Sequence, residues 1–152
     1  MAFSMSRRNW LSVAFAAFLV FATGPARAEA DIISASEAHE RAQSGELVII
    51  DVRSKQEWRE TGVPEGAETV TIHNRGGLPA FIAEVKKTLG DDKDRPVAFI
   101  CASGVRSTAA SRMLSGEGYK NILNIREGML GNNRDGPGWI DRGLPTENCP
   151  DC

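Results

Sequence analysis

This chain of 152 residues is poor in several things at once: it has three cysteines, two histidines, one tyrosine and only 7% aromatic residues. It carries no basic run, and its sparse aromatics offer little for bases to stack on, which excludes the usual footprint of a nucleic-acid binder. There is no internal repeat and no low-complexity tract. Cys149 and Cys152 form one close cysteine pair, and no second pair exists to complete a zinc site. The one long apolar run, Leu11 to Ala22, falls short of the about 20 residues needed to span a membrane. What remains is length for one domain with a sizeable core and not for two.

The first thirty residues do not belong to that domain. Arg7 and Arg8 stand ahead of the apolar run without an acid, and Ala26-Arg27-Ala28 supplies the small-x-small pattern before a cut. Residues 1–28 are therefore expected to be a cleaved export signal, which leaves a periplasmic or secreted protein with no membrane attachment. The order Ser6-Arg7-Arg8-Asn9-Trp10-Leu11 resembles a twin-arginine signal with Trp where Phe is usual, and general secretion remains the other route. Removing this segment takes away three arginines, so the formal charge of −2 becomes about −5, with 15 basic against 20 acidic residues. Small molecules or other proteins are the expected partners.

The chemistry concentrates in Val97 to Ser111, VAFICASGVRSTAAS. An apolar run ends on Cys101, passes through Ala-Ser-Gly and opens into helix-compatible residues that continue to Leu114, which reads as strand, tight loop and helix. Loop amides converge above such a cysteine, and the following helix presents its positive end there. The same field favours the thiolate, which is the nucleophilic form. Ala102, Ser103, Gly104, Val105, Arg106 and Ser107 are the candidate substrate-binding residues around a catalytic Cys101. A small buried hydrophobe is the bland reading of a cysteine closing a core strand.

The pattern Cys-x-x-Gly-x-Arg-Ser after a buried strand resembles the active-site loop of the rhodanese (sulfurtransferase) family. The segment DVRSKQEWRETGVPEGA, from Asp51 to Ala67, is similar to the family's second signature, D-V-R, E-[WY] and G-H-I-P-G-A. It departs at the end, where Val63-Pro64-Glu65 precede Gly66-Ala67 and the usual His is missing; that histidine takes no part in the family's cysteine chemistry. The likeness covers roughly Ile32 to Ile125. It implies an α/β fold: a single rhodanese-like domain at residues 31–145, a mostly parallel sheet of about five strands with helices on both faces, and a tail at 146–152.

The rest of the mature chain reads consistently with that fold. Ser34 to Glu37 fits a capping box, with Ala35, Ala38 and Ala42 giving an apolar stripe that ends near Gly45. His39 reads as part of a solvated face. Leu47-Val-Ile-Ile50 is a buried strand, and Ser54 to Glu57 is a second capping box on a helix ending near Thr61. Asp51, Arg53 and Glu57 read as an ion-paired brace beside the sheet rather than as catalysts. Glu68 to Ile72 reads as a strand, and His73 behind it either pairs with the cysteine or is a loop histidine without a chemical role. Pro79 opens a helix carrying Phe81, Ile82, Val85 and Leu89, and Asp91 to Asp94 form an exposed turn. Ala109, Ala110, Met113 and Leu114 are expected to form the buried face of the helix after the cysteine. Ile122, Leu123 and Ile125 make a last strand, and Trp139 and Ile140 are expected to pin the tail to the body.

Cys-x4-Arg from Cys101 to Arg106 is one residue shorter than the Cys-x5-Arg of related phosphatases, and the tighter ring suits one sulfur atom. The expected activity is sulfur transfer: the Cys101 thiolate takes sulfane sulfur from a donor, carries it as a persulfide and passes it to a thiol or cyanide-like acceptor in ping-pong order. Arg106 either orients an anionic donor such as thiosulfate or bridges to Asp51 or Glu57, and Ser103 and Ser107 have hydroxyls to donate. No metal or organic cofactor is implied. A redox-sensing or persulfide-binding module on the same fold is the alternative, with a phosphatase third. Cys149 and Cys152 are expected as a local disulfide in an oxidising compartment; a pair that accepts sulfur from Cys101 or resolves its oxidised form, with a periplasmic redox protein as a further partner, and a pair with no role are the other readings.

Overall fold

A computed structural model describes residues 30–150 and 152. The expected export signal, residues 1–28, lies outside them. In chain order the elements are β1 (Asp31–Ile32), α1 (Ala35–Gln43), β2 (Val48–Asp51), α2 (Lys55–Thr61), β3 (Val63–Pro64), β4 (Glu68–Thr69), α3 (Gly77–Leu89), β5 (Val97–Ile100), α4 (Val105–Gly116), β6 (Ile122–Ile125) and β7 (Thr146–Glu147). Five strands form one parallel sheet in the order β1-β6-β5-β2-β4. The unbroken apolar run of β5 lies between β2 and β6 with all four residues buried, as a strand covered on both faces requires.

Alternation along β5 divides the core. Val97, Phe99 and Cys101 join Phe81, Val85 and Leu89 of α3 and Ala110 and Leu114 of α4, whereas Ala98 and Ile100 join Ala35 and Ala38 of α1, Met129 and Trp139 on the other side. Period-two geometry thus delivers the Cys101 side chain to the α4 side of the sheet. Helices cover both faces.

Several local expectations change. The strand expected at Glu68 to Ile72 is regular only over β4, although Val70 and Ile72 still donate to the carbonyls of Asp51 and Val52. Helix α3 begins at Gly77, two residues before Pro79; a proline in the first turn has no intrahelical acceptor to lose. The buried residues of α4 are Ser107, Ala110, Ser111 and Leu114, while Ala109 and Met113 are half-buried. His39 is half-buried rather than solvated, its ring edge-on to Trp139 at 5.6 Å. Trp139 is fully buried, but Ile140 remains 38% exposed. The segment from residue 146 opens with a paired strand: β7 runs antiparallel to β3.

In-register pairing aligns Asp51, Thr69, Ile100 and Ile125 at the carboxyl ends of their strands. The loops beyond these ends converge on one edge, where sites form in open α/β sheets. That edge is braced by a buried ion pair. Arg53 Nε and Nη2 reach Asp51 Oδ2 at 2.9 and 2.7 Å, and the same guanidinium donates to Thr61 Oγ1 and the Gly62 carbonyl at 2.7 and 2.6 Å. Both residues are 1% exposed or less, so neither charge has water to fall back on. Removing one partner of such a pair costs about 3–5 kcal/mol. Arg53→Met is therefore expected to lower unfolding free energy by about that amount in urea titration; a loss under about 1 kcal/mol, the range of an exposed pair, would show that the Asp51 charge is not held in a dry site.

Candidate active site

Cys101 is the residue after β5, and its side chain is 1% exposed. The Gly104 N–H donates to Cys101 Sγ at 3.1 Å. Ser107 Oγ lies 3.6 Å from the same sulfur and donates to the Gly104 carbonyl at 3.1 Å. Cys101 therefore sits in a turn whose backbone faces it, at the point where α4 begins with Gly104 as its N-cap. The first N–H groups of a helix have no intrahelical acceptors, and together with the helix dipole they favour negative charge at this position.

The candidate residues are not all drawn to the sulfur. Ala102 is half-buried, Gly104 and Ser107 are buried, and Ser103 and Val105 are exposed; the Val105 side chain is 78% accessible. Arg106 turns to α2, where Nη1 and Nη2 meet Glu57 Oε2 and Oε1 at 2.7 and 2.6 Å. Of its two expected roles, bridging is the one seen. His73 is exposed and lies on a separate cleft of about 580 Å³ with Thr69 and Cys152, while the Cys101 thiol meets Gly104 and Ser107.

Glu57 serves two elements at once. It completes the capping box of α2, accepting from Ser54 N at 2.9 Å, and it accepts both Arg106 bonds. The Arg106 hydrogen bond, helped by those from Ser54 and opposed by partial burial, holds its pKa down to about 2 from 4.5. Arg106 is in turn held protonated, by its bond to Glu57 first and then by the charges of Glu57, Cys101 and Asp51, against the opposing effect of burial.

The support behind the loop comes from the segment after β6, which is rich in Gly and Asn. Met129 N–H donates to the Cys101 carbonyl at 2.8 Å and Leu130 N–H to the Ala102 carbonyl at 2.9 Å. Asn132 Nδ2 reaches the carbonyls of Arg126 and Ser103 at 3.0 and 3.4 Å. The approach is close enough that a Cβ on Gly104 would stand 2.2 Å from the Arg126 carbonyl oxygen, and one on Gly128 would stand 2.4 Å from that of Ala102. Both glycines also have positive φ, +95° and +71°, which side chains resist. Glu127, 5% exposed, accepts from Ala35 N at 2.7 Å and so ties the same segment to the start of α1.

A family model for the rhodanese-like domain matches residues 34–133, which contain the cysteine loop, its brace and nearly all of its backing segment. The chain belongs to the rhodanese-like family. It is 28% identical to a sulfurtransferase from Allochromatium vinosum over 115 residues, 76% of this chain and 92% of that protein. Among solved structures it resembles Rv0390 from M. tuberculosis, with TM-score 0.67 and 29% identity, covering 80% of this chain and all of that one. It also resembles the polysulfide-sulfur transferase homodimer from Wolinella succinogenes, with TM-score 0.60 and 26% identity over 82% and 83% of the two chains. The family and these relatives support a sulfurtransferase.

Two outcomes are expected of this rhodanese-like domain. Gly104→Ala should destabilise it by about 2 kcal/mol or more, through left-handed strain and the collision with Arg126, measured by thermal or urea unfolding; an unchanged midpoint would mean that the loop relaxes freely. The folded pKa of Glu57 is depressed, so its contribution is present above pH 4.5 and is lost as pH falls towards 2. Melting temperatures of Glu57→Gln should accordingly decline less than wild type across that acid limb, and parallel curves would sever the link to Arg106.

Proposed function

We propose that this protein is an exported sulfurtransferase that moves sulfane sulfur through a persulfide on Cys101. The observation that carries the reading is the Gly104 N–H aimed at Cys101 Sγ from the N-cap of α4, at 3.1 Å. A backbone donor in a low-dielectric pocket stabilises a sulfur anion without reorganising at the moment of reaction. With thiosulfate as donor, the thiolate attacks the outer sulfur, a new S–S bond forms on Cys101, and the bond to the remaining sulfur breaks with its electron pair, releasing sulfite. A thiophilic nucleophile such as cyanide then takes the terminal sulfur, and the electron pair of the breaking S–S bond returns to Cys101. Sulfite departs before the acceptor binds, with the sulfur held covalently on Cys101 between the two half-reactions, which gives ping-pong kinetics.

The sulfurtransferase name of the Allochromatium relative and the polysulfide-sulfur transfer named for the Wolinella protein support this chemistry. Export rests on the Arg7-Arg8 pair, the apolar run and the Ala26-Arg27-Ala28 site. The bidentate bond to Glu57 satisfies much of the Arg106 guanidinium, so its part is to set the loop's position and potential, and donor recognition falls mainly to the amides.

Intact mass tests the central step. After incubation with thiosulfate the protein should gain the mass of one sulfur atom, lose it on adding cyanide, and show no gain as Cys101→Ser. Failure to load from thiosulfate, polysulfide and mercaptopyruvate alike would leave the persulfide reading without support.

A further inference from the structure

The chain's last residues are not a free tail. Glu147 is held by pairing with Val63, and Cys149 and Cys152 close a turn in which they are joined as a disulfide and Cys152 N–H donates to the Cys149 carbonyl at 3.3 Å. Cys152 Sγ lies 3.9 Å from Thr69 Oγ1, at the carboxyl end of β4. Register sets Thr69 beside Asp51 and Asp51 beside Ile100, so the disulfide and Cys101 share the same sheet edge, about two strand spacings or ~10 Å apart laterally.

The surroundings suit thiol chemistry. Cys149 and Cys152 are both half-buried, hence reachable. The cleft that contains Cys152 is lined by two cations, Lys55 and Arg75, against one carboxylate, Glu84, and cationic neighbours favour thiolates. Its wall at Ser54 is bonded to Glu57 at 2.7 Å, the carboxylate that pairs with Arg106 in the active-site loop. Thr69 lies on the sheet face of Asp51 and Ile100, whereas Cys101 lies on the other, so contact requires the arm to leave its cleft and pass over Ser54. Cys152 lies five residues beyond the anchor at Glu147, enough to span up to about 17 Å.

We propose that the Cys149–Cys152 pair, in its reduced form, is a built-in acceptor for the sulfur carried by Cys101, and that the disulfide in the structure is the product of its discharge. This rests on the persulfide reading of Cys101. The Cys152 thiolate attacks the terminal sulfur of the Cys101 persulfide, so the S–S bond to Cys101 breaks and Cys101 regains its thiolate. Cys149 then attacks Cys152 Sγ in the new persulfide, forming the Cys149–Cys152 bond and expelling hydrosulfide. The sulfane sulfur is reduced to sulfide, and the dithiol is oxidised by the same two electrons. A dithiol reductant from outside the chain, of the kind that reduces exposed disulfides, restores the pair for the next cycle.

The experiment reduces the full chain with a small dithiol, removes the reagent, adds one equivalent of thiosulfate, and follows free sulfide together with the mass of the cysteine peptides. The wild type is expected to release one sulfide per chain, to end with an unmodified Cys101 and a closed Cys149–Cys152 disulfide, and to discharge loaded Cys101 at a rate constant independent of protein concentration. In Cys149→Ser the extra sulfur should stop on Cys152, and in Cys152→Ser and the double variant it should stay on Cys101 until cyanide is added. If the double variant loads normally while the reduced wild type holds its persulfide just as long, or if the rate constant for discharge of loaded Cys101 rises with protein concentration, the internal acceptor is overturned and the transferase reading stands. If the double variant fails to load from thiosulfate, polysulfide and mercaptopyruvate alike, the persulfide reading beneath both is overturned.

Discussion

The site depends on one backbone clasp. Met129 and Leu130 donate to the carbonyls of Cys101 and Ala102, and these two bonds hold the first residues of the loop while the rest turns back over the sulfur. With the carbonyls tied outward, the Gly104 N–H is left facing inward, and it bonds Cys101 Sγ. The close approach of Gly104 to the Arg126 carbonyl and of Gly128 to the Ala102 carbonyl shows how little space separates the two segments. Side chains at either position would force the strands of the clasp apart.

Charge is organised around this clasp by a second set of contacts. Glu57 caps α2 and pairs with Arg106, so the start of one helix is fastened to the start of another. Asp51 and Arg53 do the corresponding work at the end of β2, buried and saturated by hydrogen bonds. Neither arginine touches the Cys101 sulfur by a hydrogen bond. They fix the field and the geometry around that sulfur, and the direct contacts come from the backbone and one hydroxyl. The region over the strand ends also houses Cys152 beside Thr69, which brings a second sulfur centre into the active-site layer.

The parts of the fold that were plain in the residues are those governed by local rules. The apolar run of β5, the Ser54 to Glu57 box and the helix opening after Gly104 each depend on a few adjacent residues. Helix α4 was harder to orient because Ser107 and Ser111 occupy its buried face: both hydroxyls are satisfied inside, by the carbonyls of Gly104 and Ser107, and polar letters then mislead a reading by hydrophobicity. His39 misled for a different reason. Its neighbours in sequence are charged, but its ring packs on Trp139, which arrives from the far end of the domain. The clasp itself was hidden because main-chain hydrogen bonds are available to nearly every residue type.

Sequence alone marked the candidate nucleophile, the strand that presents it, the helix that opens beside it and the family to which that arrangement belongs, because each is written in contiguous residues whose preferences are strong. Tertiary structure decided which partner Arg106 takes, which amide meets the sulfur, what lies behind the loop and where the last two cysteines rest. Those outcomes depend on contacts between segments dozens of residues apart, set by the register of the sheet and by the space left between packed backbones, and no local preference encodes either.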